Sequence, residues 1–251
     1  KRTSLSNNYA RVIAISDTTN SLFFENLIIS TPSYAYSNWD RHLVTSNATI
    51  DTFHITGSTL NGGQSGISAW ASTFNYFLIL DCTFEYQYQY GIVTSNTNNI
   101  EISQSDFNIQ SNASNGNILS LNAKSLTITK NTFLHKNNGG SEAIVANGQN
   151  MILSSMHFSN NFIRGNPGSP YQMKGANFQN FDTVTCYFNT IKTRGDNLVL
   201  NYNSNVDIRN NILDNQWTNL SLTLQSNTNV NCDFNCFNSP LLSPKIEING
   251  V

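Results

Sequence analysis

Nine times along these 251 residues an apolar residue is followed three positions later by Asn, Ser or Cys, and two positions after that by another apolar residue. The copies are Phe23-Asn26-Ile28, Ile55-Ser58-Leu60, Ile79-Cys82-Phe84, Ile102-Ser105-Phe107, Ile128-Asn131-Phe133, Phe158-Asn161-Ile163, Cys186-Asn189-Ile191, Ile208-Asn211-Leu213 and Cys232-Asn235-Phe237. Their first residues lie 22 to 32 positions apart. A period in this range marks one supersecondary unit stacked on itself, and it restricts the chain to repeat architectures.

Each copy is preceded two positions upstream by another apolar residue, as in Ile100/Ile102, Leu126/Ile128 and Val206/Ile208. Period two describes a strand with one buried face. A second short strand follows the turn, such as Asp106-Phe107-Asn108-Ile109, and a third lies upstream, as in Ile92-Val93-Thr94 or Leu198-Val199-Leu200. No 3.6-residue period appears. Three short strands per repeat cannot pair through two-residue hairpins, so each must pair with its counterpart one repeat away. The class is all-β, and each repeat is one coil of a single-stranded parallel β-helix of about nine coils.

The Asn has a physical reason. It tolerates the left-handed backbone of a tight bend. Turned inward, its amide donates to and accepts from the Asn of the next coil, so a stack satisfies polar atoms that burial would orphan. Asn131, Asn161, Asn189, Asn211 and Asn235 form an unbroken run, while Asn26 stands apart and Ser58, Cys82 and Ser105 fill the rest. The inward ladder is therefore expected to be weaker in the first half. At roughly 4.8 Å per coil the rod is on the order of 40 Å long. The expectation is one domain over 1–251, with coils at about 10–238 and an exit segment at 239–251 that contains Pro240 and Pro244. Starting at Lys1 with no end cap in its first nine residues, the chain reads as a piece of a larger protein with flanking domains.

Segments such as Val-Asp-Ile-Arg-Asn-Asn-Ile-Leu (206–213) and Leu-Thr-Ile-Thr-Lys-Asn-Thr-Phe (126–133) resemble the right-handed parallel β-helix, or pectate lyase-like, superfamily. The resemblance covers about residues 10 to 238. It implies a right-handed coil, and it leaves activity open, because that superfamily includes pectate, alginate and chondroitin lyases, polygalacturonases, phage tailspikes and bacterial adhesins. Fold alone does not carry function.

Composition excludes some classes. Charged residues make up 11%, the formal net charge is −2 and the pI is near 6.1, so no basic footprint for nucleic acid exists. No run of 18 apolar residues suggests a membrane span. Cys82, Cys186 and Cys232 fall at inward positions of different coils, with Cys186 and Cys232 two coils apart, too far for a disulfide. Cys236 stands close to Cys232 across a turn, and that pair stays open. No Cys/His spacing indicates a metal and no acidic cluster argues for calcium, so no cofactor is expected.

Coil length varies through extra residues at 30–41, 134–142, 164–174 and 192–196, with Trp217 in a further loop. They emerge at one corner and overhang the upstream strands, and function in repeat folds concentrates on such a face. The resemblance agrees, since substrate lies along this face in the related lyases and hydrolases. The residue two positions before the first apolar residue of that strand is Tyr90, Gly116, Glu142, Lys174 and Asp196 in consecutive coils. Stacking brings Glu142, Lys174 and Asp196 into a column, with His135, Arg164 and Arg194 expected to approach from the loops. Two carboxylates two coils apart are close to the ~6.5–9.5 Å used in inverting glycoside hydrolysis. Alternatively, the resemblance implies that Lys174 or Arg194 acts as the base of a polysaccharide lyase. The column also fits an ordinary cross-strand charge ladder.

Alternation places Trp70, Val93, Leu119, Leu121, Val145 and Val199 outward, as a stripe under the loops or as the contact face of a homotrimer. Trp70 and Tyr90, with Tyr86, Tyr88 and Trp39, would stack on sugar rings. The reading is thus an extracellular, cell-surface or virion-borne protein that binds a polysaccharide or surface glycan, with Glu142, Lys174, Arg194 and Asp196 as catalytic candidates and His135, Arg164, Trp70 and Tyr90 as binding candidates. If it cleaves, it is a lyase or a glycoside hydrolase. The opposing class is a non-catalytic rod of an adhesin or spike.

Overall fold

The computed structural model describes residues 3–6, 12–31, 42–109, 116–136, 142–149, 153–166, 173–216, 220–239 and 245–249. Most of the inserted loops, Trp39 and Trp217 lie outside the described residues. All regular structure described is strand, and every strand pair is parallel. The result is a right-handed parallel β-solenoid.

Three sheets run the length of the stack, and each coil visits them in the same order. The leading sheet includes His42–Ser46, Glu142–Gly148, Lys174–Gln179, Leu198–Asn201 and Leu220–Gln225. The central sheet includes Thr49–Thr56, Ser155–Ser159, Thr183–Tyr187, Asn205–Arg209 and Asn229–Asp233. The trailing sheet, from Thr3–Ser6 to Cys236–Asn238, has ten strands. In the middle coils the long strands Ser65–Leu80, Tyr90–Ser103 and Leu119–Thr129 bend around a corner and serve the first two sheets together. Lys245–Asn249 pairs with Leu220–Gln225, so the segment expected to exit after Phe237 returns to the leading sheet.

About seven turns are closed, fewer than the nine repeats of the sequence. The end repeats lack enclosure, because the outermost rung has a neighbour on one side only. Thr19–Glu25 shows no buried residue and Asn229–Asp233 is exposed throughout. Between them the core is continuous. Ile67, Ile92, Leu119, Ile144, Ala176, Leu198 and Leu222 stack in register in the leading sheet. In the trailing sheet Phe84, Phe107 and Phe133 stack face to face, with ring centroids 4.6 and 5.0 Å apart.

The ladder forms as an amide chain. Asn131, Asn161, Asn189 and Asn211 each donate from Nδ2 to Oδ1 of the next Asn at 2.9–3.1 Å. Their backbone N–H groups donate to the same oxygens. The second Nδ2 proton goes to a carbonyl of the preceding coil, such as Ile128 for Asn161. Every polar atom of the buried amide is therefore used. In the first half Ser58 and Ser105 each accept one backbone N–H, from Leu27 and Cys82, so fewer bonds cross between coils there.

Two details depart from expectation. The left-handed residue precedes the ladder residue: Lys130, Asn160, Phe188, Asn210 and Phe234 have φ of 53–58°. In the first coil that residue is Asn26, with φ 54°, so Asn26 is outside the ladder and Leu27 occupies its place. The first copy is thus Phe24-Leu27-Ile29, and Phe23 points outward, edge-on to His54. A slip of one residue exchanges faces. A second, shorter ladder stands at the leading–central corner, where Asn203 N–H donates to Asn227 Oδ1 and Phe181 N–H to Asn203 Oδ1.

Candidate functional site

The column forms at the first residue of the leading-sheet strands. Glu142 pairs in register with Lys174, and the register of Ala176 with Leu198 carries the alignment on to Asp196. Lys174 Nζ is 3.7 Å from Glu142 Oε1, and Asn177 Nδ2 donates to the same oxygen at 3.1 Å. Burial raises the Asp196 carboxyl above its ordinary value, the Lys174 charge opposes this, and Glu247 and Glu142 reinforce it. Glu247, on the strand that returns to the sheet, is a carboxylate that the repeat alignment left out of the site.

Gly175 follows Lys174 for a local reason. A Cβ there would lie 2.1 Å from the carbonyl oxygen of Asn197, so only glycine lets these strands meet. Asn197 itself is buried and donates to Ile191 O, Thr193 Oγ1 and Asp214 O. It anchors the corner from inside, and so cannot play the part of a second outward carboxylate after Asp196.

The remaining candidates separate. Tyr90 lies in the column, two coils before Glu142, because Ile92, Leu119 and Ile144 share a register. That register makes Asn117, one residue after Gly116, the member between them. Trp70 is 55% exposed and packs edge-on against Tyr90, with centroids 6.0 Å apart. Arg194 sits half-buried at the turn before Asp196. Arg164 faces outward on the trailing sheet between Leu134 and Lys192, on another face. His135 is buried, its Nε2 3.2 Å from Gly116 O, and burial pushes its pKa down to about 4. It is a core side chain.

The apolar stripe dissolves. Leu119 and Leu121 belong to the core, while Val93 and Val199 are buried outside it. The outward row reads Ser68, Val93, Ser120, Val145, Asn177, Val199 and Thr223, alternating in character. Beside it runs a row of amides, Asn122, Asn147, Gln179, Asn201 and Gln225. This row was missed because only register aligns it.

Among the described residues no group of three or more His, Cys, Asp or Glu is arranged to hold a metal, and no helix is long and apolar enough to cross a membrane. All four cysteines are free, Cys82 and Cys186 buried, Cys232 and Cys236 exposed. No family model matches the chain, and no curated protein or solved structure matches it.

Proposed function

We propose that this protein binds an extended polysaccharide along the leading sheet, over the column Tyr90, Asn117, Glu142, Lys174 and Asp196. The observation that carries the reading is the line itself. A tyrosine flanked by the exposed Trp70, then an amide, a carboxylate, a lysine and a second carboxylate follow one another at one coil spacing, roughly 4.8 Å, which is close to the length of one sugar unit. The amide row beside it offers donors and acceptors for sugar hydroxyls. The pectate lyase-like resemblance and an extracellular or virion-surface location belong to this proposal.

Cleavage is favoured by one feature. Asp196, with its raised carboxyl, suits a general acid, and Glu142, held by Lys174 and Asn177, is the second carboxylate, two coils away. That separation, roughly 10 Å, lies just beyond the upper end of the ~6.5–9.5 Å inverting range. The second reading is a non-catalytic adhesive rod, favoured by the way Glu142 and Lys174 satisfy each other.

Affinity electrophoresis and reducing-end assays on polygalacturonate, alginate and a neutral xylan test both. Binding that weakens in Glu142→Ala and Lys174→Ala supports the site, and release of reducing ends lost in Asp196→Asn supports hydrolysis. Unsaturated products absorbing in the ultraviolet indicate elimination instead. Binding without turnover leaves the rod reading, and no retardation by any of these polymers sinks the proposal.

A further inference from the structure

The central sheet carries a second built surface in its last coils, on a different face from the column. Ser155, Thr183, Asn205 and Asn229 share one outward row, and His157, Thr185, Asp207 and Asn231 the next. The charged pair of this floor is self-neutralised: Arg209 Nε donates to Asp207 Oδ1 at 2.7 Å, and the Tyr187 hydroxyl donates to Oδ2 at 2.5 Å. A surface depression of about 430 Å³ opens here, lined by polar residues such as Asn205, Asp207 and Asn229 and by Val184, Val206 and Val230.

Outside the lining of the depression, the turns at both edges of the central sheet carry large exposed side chains. Phe188 and Phe234 stand along the trailing edge, 59% and 77% exposed, and Leu153 and Tyr202 along the leading edge. All four have φ between 53 and 60°. The residue after each, Asn189, Asn235, Ser154 or Asn203, takes the inward position, so these four side chains are directed outward. Bulky residues are disfavoured in this conformation. Neighbouring coils place Asn160, Asn180 and Asn210 at the equivalent turns. At these two corners, among the described residues, aromatic rings in this conformation occur only at Phe188, Tyr202 and Phe234, while Tyr86 adopts it at a different turn.

We propose that this trough binds a neutral glycan chain lying along the solenoid axis, its rings stacked on Phe188 and Phe234 and its hydroxyls bonded to the floor. The two phenylalanines are two coils apart, roughly 10 Å, about one disaccharide of an extended β-linked chain. The one coil between them presents the amide of Asn205. An anionic polymer meets the carboxylate of Asp233, while Arg209 is already paired with Asp207. A protein strand could add only beyond Asn229–Asp233, which pairs with Asn205–Arg209 alone, and not across the floor, where Thr183–Tyr187 and Asn205–Arg209 are paired on both sides. The site is independent of the leading-sheet reading.

Isothermal titration with cellohexaose, xylohexaose and mannohexaose tests it, using Phe188→Asn and Phe234→Asn, which install the residue already carried at 160 and 210. The expected result is binding of at least one hexasaccharide, weakened tenfold or more in each Asn variant. Asn205→Ala, which removes a floor amide but no ring, is expected to weaken it several-fold. Circular dichroism and melting profiles establish that each variant is folded. The proposal is overturned if the wild-type protein binds none of the three, or if folded Asn variants bind as wild type. It is equally overturned if sedimentation shows a dimer that Phe234→Asn dissociates, since the rings then contact a second copy.

Discussion

Asn161 Nδ2 donates to Oδ1 of Asn189 at 3.1 Å across 28 residues of sequence, and Oδ1 of Asn161 accepts both the backbone N–H and the Nδ2 of Asn131. Each amide in the run thus bonds to a coil on either side of it. The ladder replaces water for groups that lie 1–2% exposed in the core.

Removing one rung leaves partners on both sides. In Asn161→Ala the N–H and Nδ2 of Asn131 lose their acceptor, and Ile128 O loses its donor. The expected loss is on the order of 3 kcal/mol, read as a lower urea midpoint. Extending the ladder should act oppositely. Ser105→Asn places an amide beside Asn131 and is expected to stabilise by about 1 kcal/mol.

Thiol reactivity should divide the cysteines two and two. Cys232 and Cys236 are exposed, whereas Cys82 and Cys186 are buried. Burial pushes the Cys82 thiol up to about 11 and raises that of Cys186 as well. Only the thiolate reacts. Ellman's reagent at pH 8 is expected to label two thiols in the folded protein and four in urea. Fast labelling of all four in native buffer would contradict the burial of Cys82 and Cys186.

Acid should weaken the fold through its histidines. Burial pushes His135 down to about 4 from the ordinary 6.5, and burial also lowers His54. Between those values the unfolded chain binds a proton that the folded chain refuses, so stability is full above 6.5 and falls as pH drops toward 4. His135→Gln removes its share, up to about 3 kcal/mol. Urea midpoints at pH 7.5 and 4.5 check this, and an equal pH-dependent drop in wild type and variant would refute it.

Asp196 titrates in the opposite sense. Its folded carboxyl holds a proton more tightly than the unfolded one, mainly because it is buried. Its contribution is therefore greatest at low pH and is lost as pH rises through the elevated folded value. Asp196→Asn should gain stability relative to wild type at neutral pH. Lys174→Ala should move the carboxyl higher still, since the lysine charge lowers it. A carboxyl-carbon NMR titration measures both directions.

The period, the parallel class, the ladder from Asn131 to Asn235 and the inward placement of Cys82 and Cys186 were all legible in the sequence. Each depends on a local rule: alternation at period two, or a polar residue that burial tolerates only when stacked. The Glu142–Lys174 contact was legible too, since their coils align through adjacent copies of the pattern. Other placements depended on the neighbouring coil. Asn26 yields its rung to Leu27, Asn117 replaces Gly116 in the column, and His135 turns into the core. Leu119 is inward because it lies opposite Ile92 and Ile144. Loops of unequal length separate these strands, so spacing along the chain does not transmit register across them. Only the pairing of one coil with the next settles it, and a shift of a single residue sends each side chain to the other face.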